Sequence, residues 1–131
     1  MLPAVRLFRK SEAKVALEAA AQAEIERLKA LSPEQLAVIV LPGLGPEAAG
    51  PGRHLRAQQL CEYLLRDFPG IGQTRPLQLM APVRRALEKL EDAELVSSMS
   101  IIERSPLWRI TDRGTSVLAE GTTARYLVVP S

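Results

Sequence analysis

The sequence predicts a small α+β protein that is mostly α-helical. Apolar residues recur at intervals of three and four over most of the chain, whereas near-alternation is confined to a short stretch around residue 100. The composition agrees with this class, since 131 residues with 47% hydrophobic and 24% charged residues suit one soluble domain with a single core. Only 4% of the residues are aromatic, so we expect a core of Leu, Val, Ile and Ala.

The composition also excludes several classes of function. Few aromatic residues argue against sheets that stack nucleic-acid bases. A single cysteine, Cys61, excludes a disulfide framework or a cysteine-based zinc site, and one histidine, His54, adds too few ligands for most transition metals. No metal or cofactor is therefore expected. The chain shows neither a signal-peptide pattern nor a membrane-spanning run, so we expect a cytoplasmic protein without a membrane partner.

A stretch rich in Gly and Pro, residues 42–52, marks the clearest boundary in the chain. Seven of its eleven residues are Gly or Pro, so we expect a linker or long loop that neither helix nor strand crosses. It separates an N-terminal helical segment, residues 1–41, from a larger piece, residues 53–121. The tail, residues 122–131, has strand character.

The N-terminal segment predicts a long helix that Ser11 caps and that runs to about residue 31. Seven of these 21 residues are Ala, which has the highest helix propensity. Glu24 falls on the apolar face, which indicates either that the face reaches solvent there or that a second chain shares it. The second alternative makes the helix a dimerisation element with an interface formed by Leu17, Ala21, Leu28 and Leu31.

A second N-terminal element follows at Ser32, which is typical of a helix start. Pro33 suits the first helical position and Gln35 can close a capping box. Residues 36–41 are a continuous apolar run that suits either a short buried helix or a buried strand, and the cap favours the helix.

The C-terminal piece predicts two amphipathic helices joined by a turn. The first covers residues 53–68 and carries Cys61 on its apolar face, where a small buried hydrophobe is the expected role. The second covers residues 78–94, and Pro82 either lies in its first turn or sets its start near residue 81.

A strand hairpin and a closing helix are predicted next. Strands are expected at residues 97–103 and 107–110, with Trp108 and Ile110 on one face and Arg109 on the other. Thr111 is then the expected cap of a short helix that Gly121 ends.

Two stretches in this piece resemble the winged helix-turn-helix superfamily. One is R-x-L-x-x-L-E-x-x-x-L-V from Arg85 to Val96, and the other is W-R-I-T-D-R-G-x-x-x-L from Trp108 to Leu118. The second is similar to segments of PadR- and MarR-type regulators and of Mrr-like N-terminal domains. The resemblance covers residues 53–121 and implies a winged helix with an additional N-terminal helical segment. Glu94 departs from the pattern, because many relatives have Gly there, and this predicts a different turn or a longer helix.

This architecture places a polar helix where it can enter the major groove of double-stranded DNA, with the strand hairpin on the adjacent backbone. The residues expected to contact DNA are Thr74, Arg75, Gln78, Arg84, Arg85, Lys89 and Arg104. Arg53 and Arg56 are expected to add backbone contacts.

The charge distribution leaves a second interpretation open. Residues 82–96 carry three basic and four acidic groups, net −1, although the basic groups lie toward the N-terminal half that usually meets the bases. The expected function is therefore a dimeric DNA-binding protein, such as a transcriptional regulator. The alternative is a protein-interaction module in which these charges only pair with one another. No catalytic constellation surrounds His54, so an enzyme is not expected.

Overall fold

The structure is a computed structural model that describes residues 2–50, 53–100 and 106–127, and for residues 2–11 the backbone only. It is mostly helical, with one small antiparallel sheet. The elements are, in chain order, α1 (Leu2–Lys29), α2 (Pro33–Leu44), α3 (Pro46–Ala49), β1 (Leu55–Arg56), α4 (Ala57–Leu64), a 3-10 helix (Arg75–Leu79), α5 (Met80–Asp92), β2 (Val96–Met99), β3 (Leu107–Ile110), α6 (Asp112–Glu120) and α7 (Thr123–Leu127).

Helix α1 is longer than the sequence pattern predicts. It begins at Leu2, so the expected start at Ser11 is wrong. Pro3 lies in the first turn, where its missing N–H breaks no helical hydrogen bond, and this lets the helix start early. Twenty-eight residues make α1 about 42 Å long. Among its described side chains, Ala21, Ile25 and Leu28 are buried, all toward its C-terminal end.

Helix α2 crosses much of the stretch predicted to be a linker. The expected cap is confirmed: Gln35 N donates to Ser32 Oγ, and Ser32 N donates to Gln35 Oε1. The helix continues through Pro42 to Leu44, and α3 follows at once, so the predicted interruption is wrong for the described residues 42–50. Pro42 has no N–H group, so the helix loses one hydrogen bond near its end. Burial of the residues that follow stabilises the helix and offsets this loss.

Gly43 lies inside this helix at a point where there is no room for a side chain. A Cβ atom there would lie 2.7 Å from Cδ2 of Tyr63, so only glycine lets α2 approach α4 so closely. Helix α2 shares one hydrophobic core with α4 and α5. The N-terminal segment is thus part of the same packed body as the C-terminal piece.

The helix predicted over residues 53–68 is shorter than expected. Leu55 and Arg56 form strand β1, and α4 ends at Leu64. Leu55 pairs with Trp108 and Arg56 with Leu107, so the sheet has three strands in the order β1-β3-β2. A two-residue strand has no periodicity of its own, and the sequence pattern therefore did not indicate it.

Helix α5 agrees with the prediction more closely, and Pro82 lies in its first turn as expected. Its end corrects the expectation for Glu94. Glu94 has φ 63°, and Leu95 N donates to Leu90 O at 2.9 Å, which is the left-handed turn that glycine usually makes. Glu94 therefore adopts the usual turn at a conformational cost, rather than a different turn.

The hairpin and closing helix follow the prediction in order, but the first strand, β2, covers Val96–Met99 rather than the expected 97–103, of which residues 101–103 lie outside the described part of the chain. Trp108 and Ile110 are buried and Arg109 is exposed, and Thr111 Oγ1 accepts from Gly114 N as the cap of α6. Gly121 ends α6 with φ 70°. The predicted tail strand is wrong over Thr123–Leu127, which is helix α7; the rest of the tail lies outside the described residues.

Candidate nucleic-acid interface

The outer face of α5 separates its charges along the helix. Its inner face is buried, through Val83, Ala86, Leu87 and Leu90. The outer face presents Arg84 and Arg85 in its N-terminal half, whereas the later turns add Glu88, Glu91 and Asp92, all exposed. A polyanion would therefore be attracted to the first half of α5 and repelled by the second.

Arg84 and Arg85 are the predicted contact residues that α5 leaves most accessible. Both side chains are exposed, and none of the ion pairs between described residues involves either of them. Since neither guanidinium is neutralised within the described chain, both are available to an external anion.

Arg84 also lines a cleft together with Arg56, which comes from the end of β1. The cleft has a volume of about 290 Å³, and Glu88, Met80 and Trp108 contribute to its walls. Pairing of β1 with β3 sets Leu55 opposite Trp108 and Arg56 opposite Leu107, and the sheet and α5 together bring Arg56, Trp108 and Arg84 to one cleft. Sequence reasoning named both arginines but not the cleft, because the cleft depends on the unforeseen strand β1.

Two other predicted contact residues are engaged by α1. Arg75 Nη2 lies 3.3 Å from Glu18 Oε2, and Arg75 Nη1 donates to Gln22 Oε1 at 3.1 Å. Gln22 Nε2 donates to Gln78 Oε1 at 3.0 Å, and Gln78 Nε2 donates back to Gln22 Oε1 at 3.3 Å. Arg75 and Gln78 therefore already have partners within the chain, and their contact with DNA stays a prediction. The sequence places these pairs more than fifty positions apart, beyond the reach of a local pattern.

The remaining predicted contact residues are dispersed. Lys89 Nζ lies 3.7 Å from Glu34 Oε1, so this side of α5 forms an ion pair with α2. Thr74 and Arg53 are exposed, and Arg104 lies outside the described residues.

The predicted dimer interface is largely occupied by the chain itself. Ala21 is 0% and Leu28 is 1% exposed, so both are buried in the chain's own core and cannot form an interface with a second chain. Leu17 and Leu31 are half-buried. Glu24 pairs with Arg27 of the same helix, which favours the interpretation that this face reaches solvent.

The interior behind α5 carries no reactive group. Cys61 is fully buried beside Met80, and the two sulfur atoms lie 3.6 Å apart. Burial raises the pKa of the Cys61 thiol to about 12, although Arg84 acts weakly in the opposite direction. The expected role of Cys61 as a small buried hydrophobe is confirmed.

The described residues were also considered as possible metal ligands and as possible membrane-spanning segments. They contain no group of three His, Cys, Asp or Glu side chains placed to hold a metal ion. Within residues 2–50, 53–100 and 106–127, no helix has both the length and the apolarity to cross a bilayer.

No protein-family model matches the chain, and comparisons with curated proteins and with solved structures found no match.

Proposed function

We propose that this chain is a winged-helix protein that binds double-stranded DNA. The order of elements supports the fold: helix α2, strand β1, helix α4, helix α5 and the hairpin β2–β3, with β1 added to the free edge of β3. In this arrangement α2 is the first of three core helices and α1 is the additional segment. Helix α5 is then the recognition helix, and the hairpin is the wing.

The observation that carries the DNA proposal is the pair of exposed arginines on the first half of α5. An α-helix is about 10–12 Å across and fits the major groove of B-DNA, where arginine can contact guanine or phosphate. Recognition helices present their N-terminal residues to the bases, and here those residues include Arg84 and Arg85. Arg53 and Arg56 add positive charge before α4, where they can reach the backbone.

A labelled mixed-sequence duplex tests the proposal by fluorescence anisotropy. Affinity is expected to fall steeply between about 50 mM and 200 mM salt, because binding releases counterions from the phosphates. The double variant Arg84→Gln/Arg85→Gln is expected to bind weakly. The single variants Arg84→Gln and Arg85→Gln are compared with Arg125→Gln, which also removes one positive charge, since Arg125 is exposed on α7. Binding that is insensitive to salt, or equally weakened by Arg125→Gln, would contradict the proposal.

The exposed apolar side chain of Val15 on α1 favours a second candidate function, a protein-interaction module. In that case α1 is an assembly element, and Val15, which is 65% exposed, is an apolar side chain that it offers to a second chain. Light scattering of the full chain and of Val15→Asp tests this. A mass of two chains that falls to one in the variant supports assembly through α1, whereas a single-chain mass in both removes it. Dimerisation through α1 would also serve the DNA proposal, because two modules double the phosphate contacts.

A further inference from the structure

The cleft between β1, α5 and β3, here called the Arg56–Arg84 cleft, has properties that recognition of the major groove does not require. Its volume of about 290 Å³ is at the small end for a ligand site. Its walls come from four elements, β1, α4, α5 and β3, and from Pro106 just before β3; the sheet pairing and the core hold the four elements in place. The cleft is therefore formed by packed secondary structure and not by a surface loop.

The charges in the cleft favour an anion. Arg56 and Arg84 supply two guanidinium groups and Glu88 one carboxylate, so the cleft carries a net positive charge. Among the ion pairs of the described residues, none engages Arg56, Arg84 or Glu88. Guanidinium groups match the geometry of phosphate oxygens, with which they form strong charge-assisted hydrogen bonds.

The start of α4 adds further donors to the same recess. Ala57 and Gln58 line the cleft, and they belong to the first turn of this eight-residue helix. The residue before them, Arg56, has no side-chain oxygen with which to cap the helix. Its own backbone N–H donates to Gln59 Oε1 at 2.8 Å. The N-terminus of α4 therefore faces the recess without a side-chain cap, and N–H groups at such a position favour negative charge.

Trp108 forms part of the cleft wall and is 6% exposed. Its indole Nε1–H has no hydrogen-bond partner in the described part of the chain, but this atom is enclosed by protein and does not open onto the recess. The two guanidinium groups, and not the indole, are therefore the side-chain donors that the recess offers to a ligand.

We propose that the Arg56–Arg84 cleft binds the phosphate group of a phosphate ester. Arg56 and Arg84 hold the phosphate oxygens from two sides, and Glu88 accepts a hydrogen bond from a neighbouring hydroxyl of the ligand. The phosphate can belong to a small sugar phosphate or to a nucleic-acid backbone. The first source does not depend on the proposed function, whereas the second rests on it.

Trp108 allows a direct test, because it is the chain's only tryptophan. Inorganic phosphate and ribose 5-phosphate are titrated into the full chain while its fluorescence is recorded, with sodium chloride at matched ionic strength as the reference. A saturable change is expected with ribose 5-phosphate but not with chloride. Arg56→Gln and Arg84→Gln are each expected to weaken binding by about tenfold or more. Arg125→Gln is expected to bind as the parent does, and circular dichroism checks that each variant is folded.

A second arm identifies the source of the phosphate. Arg56→Gln and Arg84→Gln are compared with the parent for binding to the labelled duplex. Loss of ester binding in both variants supports a small-ligand site even where no duplex binds, and in that case the DNA proposal alone fails. Absence of ester binding, combined with duplex binding that both variants weaken, assigns the phosphate to the backbone. The cleft is overturned if the ester gives no response and Arg56→Gln leaves duplex binding unchanged. It is also overturned if Arg125→Gln weakens binding as much as the cleft variants do.

Discussion

Two groups of polar residues in and just before α5 differ in what they contact. Arg75 and Gln78, in the 3-10 helix before α5, are hydrogen-bonded to Glu18 and Gln22 of α1. Arg84 and Arg85, six to ten residues further on, have no such partner among the described residues. The difference shows that a polar side chain on this surface is not always available to a ligand, because a partner from a distant segment can already satisfy it.

The largest expected effect separates these two groups directly. Arg84→Gln/Arg85→Gln is expected to weaken duplex binding by about a hundredfold, because each arginine contact is worth about 1–3 kcal/mol. Arg75→Gln is expected to change it by less than about threefold, because Glu18 already neutralises that charge and exposed pairs contribute little. Fluorescence anisotropy at fixed salt measures both. A larger loss in Arg75→Gln than in the double variant would reverse the comparison.

Cys61, on the inner side of α4, shows that the positive charge of Arg84 does not extend its effect into the core. Burial raises the pKa of this thiol more than Arg84 lowers it. Burial raises the pKa of Cys61 to about 12, from 9.0 for an exposed thiol. Between these values the unfolded chain loses the thiol proton and the folded chain keeps it. The free energy of unfolding is therefore expected to fall by about 1.4 kcal/mol per pH unit above pH 9.

Cys61→Ala isolates this contribution. Urea unfolding of the parent and the variant between pH 8 and about pH 11 gives the difference. The stability gap between the two is expected to narrow as the pH rises. A constant gap would show that the thiol titrates alike in both states, and hence that water or a cation reaches it.

The end of α5 tests whether its acidic half takes part in binding. Glu94 adopts φ 63°, a region that costs a non-glycine residue about 1–2 kcal/mol. Glu94→Gly is expected to stabilise the fold by about 1 kcal/mol, since the lost pair with Arg113 is exposed and weak. Duplex binding is expected to stay within about twofold of the parent, and urea unfolding with anisotropy measures the two effects. Destabilisation by glycine would mean that Glu94 makes a contact that outweighs its strain.

The sequence predicted the elements whose signals are local. The capping box at Ser32, the hairpin strand with Trp108 and Ile110 on one face, and the cap at Thr111 all rest on neighbouring residues, and all three are confirmed. Two of the errors share a physical cause, which is tertiary contact. Helix α2 continues through Pro42 because its end is buried, and β1 exists because it pairs with β3.

The candidate site follows the same rule. Arg56 and Arg84 could be named from composition and helix face, but their meeting in one cleft depends on β1, which has no local signal. The partners of Arg75 and Gln78 could not be foreseen, because side chains on an early helix with no specific polar pattern supply them. Strained turns are similarly hidden, since the sequence alone suggested that Glu94 would avoid the left-handed region.

The smallest expected effect concerns the contacts by which α1 holds Arg75 and Gln78. Glu18→Gln removes the carboxylate that neutralises Arg75 and would repel an approaching phosphate. Duplex affinity at low salt is expected to rise by about 1.4- to fivefold, which corresponds to the roughly 0.2–1 kcal/mol of an exposed ion pair. Glu12→Gln is the matched control, because Glu12 is an exposed acid of the same helix. A rise that Glu12→Gln reproduces reflects only the change in net charge. A rise confined to Glu18→Gln shows that Arg75 becomes available once its partner is removed, so that the two groups differ only in what already holds them.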